Sequence, residues 1–377
     1  MVRDTVRQLV DDVIAPRAMQ LDEAHEFPMD NFRALAELDL LGIFVPEEYG
    51  GPGMDFVSYV IAMEELSRGC ASTALTVAAH ASLCMGPIML LGSEEQKLRW
   101  LPGLCRGEQI GCFGLTEPHA GSDAGATQTL ATRDGDDYVL SGTKMWITNG
   151  KQADVMVATV KTDTAQPRGK GITALIVDMK TPGISVPKVE DKLGMRASST
   201  AQVFFDNVRV PVENRLGIEN DGFKAFMKTL ENGRIGIGAL SVGIARAAFE
   251  RAVRYAGQRE TFGQKLAAHQ TIQAYIADMA TELEAARLLV YRAAFMRAAG
   301  GEFGREAAMA KMYASEAAMR ITEKAIQIHG GFGYVREFEV ERYWRDAKLA
   351  TIGEGATEIM QIVIARSILG EASRVAR

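Results

Sequence analysis

The clearest chemical potential in this chain lies in Gly353-Glu354-Gly355, a carboxylate between two glycines. Such a turn lets the backbone approach a ligand closely. Two readings are open. Glu354 is either a solvated loop acid ahead of a helix that starts at Ala356-Thr357-Glu358 and continues into the apolar run 359–369, or a buried general base. Burial separates them, because a carboxyl taken out of water rises in pKa and can accept a proton near neutral pH.

Two further segments gather polar and aromatic groups. Residues 112–123, CFGLTEPHAGSD, begin as a strand and pass into a Gly/Ser/Thr loop. Its amides and hydroxyls suit a diphosphate or a heteroaromatic ring, and an ordinary strand-to-turn connection is the plainer alternative. Residues 144–150, KMWITNG, place Trp146 and Thr148 two apart and so on one face of a strand. An aromatic beside a donor fits a flat ligand, or equally a packed core.

Other chemistries are absent. The G-x-G pairs from Gly51, Gly169, Gly236, Gly331 and Gly353 lack the third glycine of a dinucleotide fingerprint, and there is no Walker A loop. No H-E-x-x-H or G-x-S-x-G occurs. Cys70, Cys84, Cys105 and Cys112 form no C-x-x-C pair, which points to a reducing compartment and no structural metal.

These segments need elements to hold them. The first 110 residues read as helices: 32–41 is amphipathic, 46–53 is a Gly/Pro-rich loop, and 55–68 has apolar residues at helical spacing. From 111 to 222 short β-branched and aromatic runs at 138–140, 155–160, 172–177 and 203–205 indicate an antiparallel β-domain. From 223 to 377 long Ala/Leu/Arg-rich stretches at 239–257, 269–299 and 302–328 indicate a helical bundle. The expected fold is thus multidomain α+β, in the order α, β, α.

Length and charge fit that plan. A chain of 377 residues with 47% apolar and 24% charged residues is a globular protein of two or three domains. Its net charge of −6 argues against nucleic acid as the main partner. Residues 231–377 hold 20 basic against 17 acidic side chains, a mild excess that suits a phosphate-bearing ligand. Residues 69–93 carry no Asp, Glu, Lys or Arg, yet His80, the Ser and Thr residues and a Gly86-Pro87 break favour a buried helix pair over a membrane span. The N-terminus mixes charges with apolar residues and lacks a signal-peptide core, so a cytoplasmic location is expected.

Seven motifs in order complete the reading: LTEPHAGSD at 115–123, KMWITNG at 144–150, KLGMRASST at 192–200, RETFG at 259–263, QIHGGFGY at 327–334, RDAK at 345–348 and EGATEI at 354–359. Together they span most of the chain and resemble the acyl-CoA dehydrogenase family. The resemblance implies an N-terminal helical domain, a central β-domain and a C-terminal four-helix bundle, with FAD as cofactor and a slightly shortened first helix. It implies that Phe113, Leu115, Thr116, Gly121 and Ser122 line the flavin, with Ser122 also reaching CoA, and that Trp146, Ile147 and Thr148 pack along the isoalloxazine. From a second subunit, Arg259, Phe262, Gln270 and Gln327, Ile328, His329, Gly330 and Gly331 are implied to hold the diphosphate and adenosine. That makes the protein at least a dimer, and by family habit a homotetramer.

The resemblance also gives Glu354 the role of base toward an acyl-CoA, with Gly355 beside the substrate, Glu231 and Arg234 as the CoA pair, and electron-transfer flavoprotein as electron acceptor. Ala356 stands where a threonine is usual near the flavin, with Thr357 and Glu358 next to it and Thr357 a candidate to compensate. Isovaleryl and long-chain types carry their base at the position of Gly233, so here the base falls at 354. No cation lies between Arg68 and Lys97, which disfavours a dicarboxylic acyl group. The motifs fit a short-chain substrate, with a 2-methyl-branched acyl-CoA as alternative. A DNA-associated flavoprotein of the same fold is the remote alternative, disfavoured because charge in the C-terminal part is interspersed.

Overall fold

The computed structural model describes residues 1–375. Helices α1 (Val2–Leu9), α2 (Ala18–Ala24), α3 (Met29–Ala36), α4 (Phe56–Gly69), α5 (Ala71–Ala78), α6 (Gly86–Leu91) and α7 (Glu94–Cys105) form the N-terminal part. Asp55 caps α4, its carboxylate accepting from the Ser58 N–H at 2.7 Å. Helix α3 stops at Ala36 rather than reaching Leu41, because Asp39 takes a left-handed φ of 56°.

The uncharged run does not form two helices. A π-helical segment, Ala79–Met85, joins α5 to α6 in one continuous helix over Ala71–Leu91. Pro87 lies directly after that segment, inside the continuous helix, without breaking it. Of the most apolar 18-residue window, 72% is buried inside the protein, so this is a core helix.

The central sheet comprises β1 (Gly111–Gly114), β2 (Leu130–Asp134), β3 (Asp137–Thr148), β4 (Val155–Lys161), β5 (Ile172–Asp178), β6 (Ile184–Ser185), β7 (Thr200–Pro211) and β8 (Arg215–Leu216), in the order β6-β7-β3-β2-β4-β5-β8. Most pairs are antiparallel, as expected, but β1 adds to β4 in parallel, Gly111 opposite Val155. Strands β4 and β5 are buried on both faces. Val155, Val157, Ala174 and Ile176 join the helical core, whereas Met156, Ala158, Leu175 and Val177 join a separate core within the β-domain. The two-residue period of a strand thus divides one run between two cores.

The C-terminal part holds α8 (Gly222–Gln258), the hairpin β9 (Glu260–Thr261) and β10 (Gln264–Lys265), α9 (Gln270–Ala298), α10 (Gly304–His329), α11 (Val340–Ala350) and α12 (Thr357–Val375). Helix α8 starts well before the expected 239, and its length lets one end meet the sheet while the other reaches the far end of the bundle. Buried Glu65 on α4 ties the helices together, accepting from Arg7 at 2.9 Å and from Arg246 of α8 at 2.8 Å. Burial pushes this carboxyl up, but those hydrogen bonds outweigh it and hold the pKa at about 2.

Candidate active site

The loop between α11 and α12 is built to present Glu354. The Gly353 N–H donates to the Leu349 carbonyl at 2.8 Å, and the Thr357 N–H to the Thr351 carbonyl at 3.1 Å. Between these anchors Glu354 takes φ 54° and Gly355 φ 103°, values that favour glycine at 355 and strain the acid at 354. Lys311 of α10 fastens the turn, its Nζ donating to the Gly355 carbonyl at 2.6 Å.

This geometry sends the Glu354 carboxyl inward. Its Oε2 is buried without a hydrogen-bond partner. The oxygen lies over Gly233 of α8, where any side chain would collide with it, and Leu83 of the π-helical segment closes in beside it. Burial raises the Glu354 pKa to about 7, while the charges of Lys311 and Arg234 hold it from rising further. Arg234 is itself buried with an unpartnered Nε, and burial lowers the Lys311 pKa to about 8. The solvated-loop reading of Glu354 therefore fails, because the chain folds the acid away from water.

A second wall lies close by. Phe113 of β1 stacks on Phe226 of α8, ring centroids 4.7 Å apart, and Phe226 precedes Arg234 by eight residues, about 12 Å along the helix. His80 fixes β1 against the same π-helical segment that holds Leu83. Its Nδ1 accepts from the Gly111 N–H at 2.9 Å and its Nε2 donates to the Leu104 carbonyl at 3.0 Å. Burial lowers its pKa to about 4, so it stays neutral. The Thr116 carbonyl accepts from the Met145 N–H at 2.8 Å, which joins the two polar segments, and Lys144 donates to the Leu115 carbonyl and to Glu117 from beneath.

Strand β3 is not regular where Trp146 lies. The pairing with β7 slips between Lys144 and Ile147, and Trp146 takes φ 59°. Trp146 is 55% exposed, Thr148 is half-buried, and Ile147 turns into the β-domain core, so Ile147 offers only backbone to a ligand. Gly121 and Ser122 are exposed, with open space over Gly121. A solvent-facing indole, half-open hydroxyls and a clear glycine loop fit a flat polar cofactor such as a flavin. Five of the ten non-glycine residues with positive φ among the described residues, Trp146, Asn149, Met195, Phe262 and Glu354, lie in the motifs read from sequence, so strain collects at them.

The other implied residues are not brought to this place. Arg259 follows Arg234 by 25 residues along α8, about 37 Å. Around it stand exposed Gln270 and Gln327, Phe262 at 97% exposure, and Gly330 and Gly331 with open space above them. Ile328 is buried, and so is His329, whose Nδ1 donates to the Ala325 carbonyl at 2.7 Å and whose ring stacks on Tyr255. Near Glu354, the Thr357 hydroxyl donates to Glu316 at 2.8 Å, leaving it only as an acceptor to replace the threonine missing at Ala356, and Glu358 is exposed. Glu231 is half-buried, with its carboxyl against Gly304 and its pKa raised by burial.

Sequence reasoning missed Lys311, the cation that fastens the Glu354 turn. It had a faint signal, a single cation inside the small apolar run A-A-M-A-K-M at 307–312.

Comparison with known proteins identifies the family. Family models match over residues 1–108, 112–208 and 220–369 as the N-terminal, middle and C-terminal domains of acyl-CoA dehydrogenase. A mitochondrial short-chain specific acyl-CoA dehydrogenase of Rattus norvegicus is 49% identical over 98% of this chain and 89% of its own. The structure of butyryl-CoA dehydrogenase from Megasphaera elsdenii is similar with a TM-score of 0.95 at 42% identity, covering 98% of both chains. A glutaryl-CoA dehydrogenase from Mycobacterium smegmatis in complex with FADH2 is similar with a TM-score of 0.92 at 34% identity, covering 98% of this chain and 94% of the other. The three matching domains and a relative 49% identical over nearly the whole chain place this chain in the acyl-CoA dehydrogenase family of FAD-dependent oxidoreductases.

Proposed function

We propose that this protein oxidises short saturated acyl-CoA thioesters to trans-2-enoyl-CoA, with Glu354 as the base that removes the α-proton. The observation that carries the reading is the unpartnered Glu354 Oε2, buried over Gly233 with a pKa of about 7. A carboxyl so placed can take up a proton near neutral pH, and its Oε2 has no competing hydrogen bond to give up. When bound, FAD supplies the hydride acceptor for the β-carbon.

The chain's own groups do the rest. No protein carbonyl among the described residues accepts the Glu354 N–H, which leaves it free to donate to a thioester oxygen and steady the charge that develops as the α-proton leaves. Arg234 and Lys311 keep Glu354 partly ionised, and Lys311 holds the turn through Gly355. Trp146, Thr148, Thr116, Gly121 and Ser122 form the flavin wall. Arg259, Phe262, Gln270 and the 327–331 segment act on the flavin of a second subunit, since they lie at the opposite end of α8 from Glu354. Glu231 and Arg234 lie along the CoA path, and electron-transfer flavoprotein takes the electrons onward.

The test is anaerobic bleaching of the purified flavoprotein with acyl-CoA thioesters from C4 to C12 and with isobutyryl-CoA and 2-methylbutyryl-CoA. Bleaching is expected to be fastest with butyryl-CoA. Absence of bleaching by any thioester sinks the assignment, and fastest bleaching by a branched thioester moves the substrate to that class.

A further inference from the structure

We propose that the ring of Tyr59 is the floor of the acyl site and sets the length of chain the enzyme accepts, an inference that rests on the placement of the reaction at Glu354. The argument runs along one face of α8. Gly233 and Gly236 are three residues apart and so share a face, about 4.5 Å along the helix axis. The first glycine lies under the Glu354 carboxyl, and a Cβ on the second would meet the Tyr59 hydroxyl at 2.8 Å. An acyl chain lying on this face from the base reaches the phenol within one helical turn.

Tyr59 is fixed there. It is 1% exposed, its ring lies edge-on to Phe44 with centroids 5.5 Å apart and tilted against Phe56 at 5.0 Å, and the Arg297 guanidinium covers Phe56 at 3.7 Å. The ring therefore has a packed aromatic wall behind it and cannot withdraw to admit a longer chain. Its hydroxyl is buried with Ser82 as its polar neighbour but no partner in hydrogen-bonding geometry, so the packed rings behind it, not a hydrogen bond, hold it in place. The side chain acts as a stop, and its shape, rather than its hydrogen bonding, does the selecting.

Binding to a non-turnover background reads this directly. Glu354→Gln flavoprotein, alone and combined with Tyr59→Leu, Tyr59→Met or Tyr59→Phe, is titrated by calorimetry with butyryl-CoA and hexanoyl-CoA. Leu and Met should shift the ratio of the two dissociation constants toward hexanoyl-CoA by roughly 15-fold, about fourfold for each of two buried methylenes. Tyr59→Phe should leave the ratio near that of the parent. An unchanged ratio in folded, flavin-bound Leu and Met variants overturns the proposal, as does a shift of the same size in the Phe variant, which would assign selection to the hydroxyl. If the parent binds neither thioester, it is the dehydrogenase reading that fails; if it binds butyryl-CoA while the ratio stays fixed, the failure is confined to Tyr59.

Discussion

Gly233 and Glu354 occupy one space: the carboxyl oxygen of the acid fills the volume that a side chain on the glycine would take. The base can be where it is only because residue 233 has none. Related subfamilies, by the resemblance above, carry their acid at the position of 233, and the two arrangements are sterically exclusive in this fold.

Gly233→Ala is accordingly expected to displace Glu354 rather than to unfold α8, since alanine is the better helix former by about 1 kcal/mol. The rate of flavin bleaching by butyryl-CoA should fall by at least 100-fold with flavin content unchanged. Stopped-flow reduction compared with the flavin-to-protein absorbance ratio checks both parts.

Glu354→Gln should retain flavin and lose substrate reduction by on the order of 1,000-fold. It should also change stability in a pH-dependent way. The carboxyl has its pKa raised from 4.5 to about 7 by burial. Between those values the folded state binds the extra proton, so the acid form folds without penalty at low pH and the ionised form lowers stability as pH rises through 7. The Gln variant should therefore be more stable than the parent at pH 8, by on the order of 3 kcal/mol at most. The difference should vanish below pH 4.5, and thermal scans of the two proteins across pH 4 to 8 measure it.

Lys311→Met removes both the hydrogen bond to the Gly355 carbonyl and a positive charge facing Glu354, with Arg234 left as the remaining cation there. The Lys311 charge lowers the Glu354 pKa, so its loss should move the ascending limb of the pH profile for flavin reduction toward alkaline pH. A fall in rate at every pH with no movement of that limb would reduce Lys311 to an anchor for the turn.

The order of helical, β and helical parts was legible because each carries its own period: 3.6 residues in the helices, two residues in the strands. What remained hidden was set by distant contacts. The kink that expectation placed at Gly86-Pro87 vanished into a continuous helix because a π-helical segment ahead of Pro87 absorbed it. Glu354 was visible as a carboxylate between glycines, but its burial depends on Gly233 and Leu83, respectively 121 and 271 residues away in the chain. Trp146 was visible as an aromatic beside a hydroxyl, but a slip in the pairing of β3 with β7, not strand alternation, turns it out. Lys311 and Tyr59 act from helices whose local sequence reads as ordinary core.

The separation of about 37 Å between Arg234 and Arg259 on α8 leads to a prediction about assembly. If Arg259 serves the flavin of a neighbouring subunit, each site combines Glu354 from one chain with Arg259 from another. Arg259→Glu and Glu354→Gln, each inactive as a homo-oligomer, should then complement one another when co-expressed. A mixed dimer holds one site with native Glu354 facing native Arg259 and one site lacking both, so purified hetero-oligomers carrying two different tags should regain up to half of the parental bleaching rate. Were Arg259 to act within its own chain, every site in the mixture would lack one of the two residues, and the hetero-oligomers would stay as inactive as their parents.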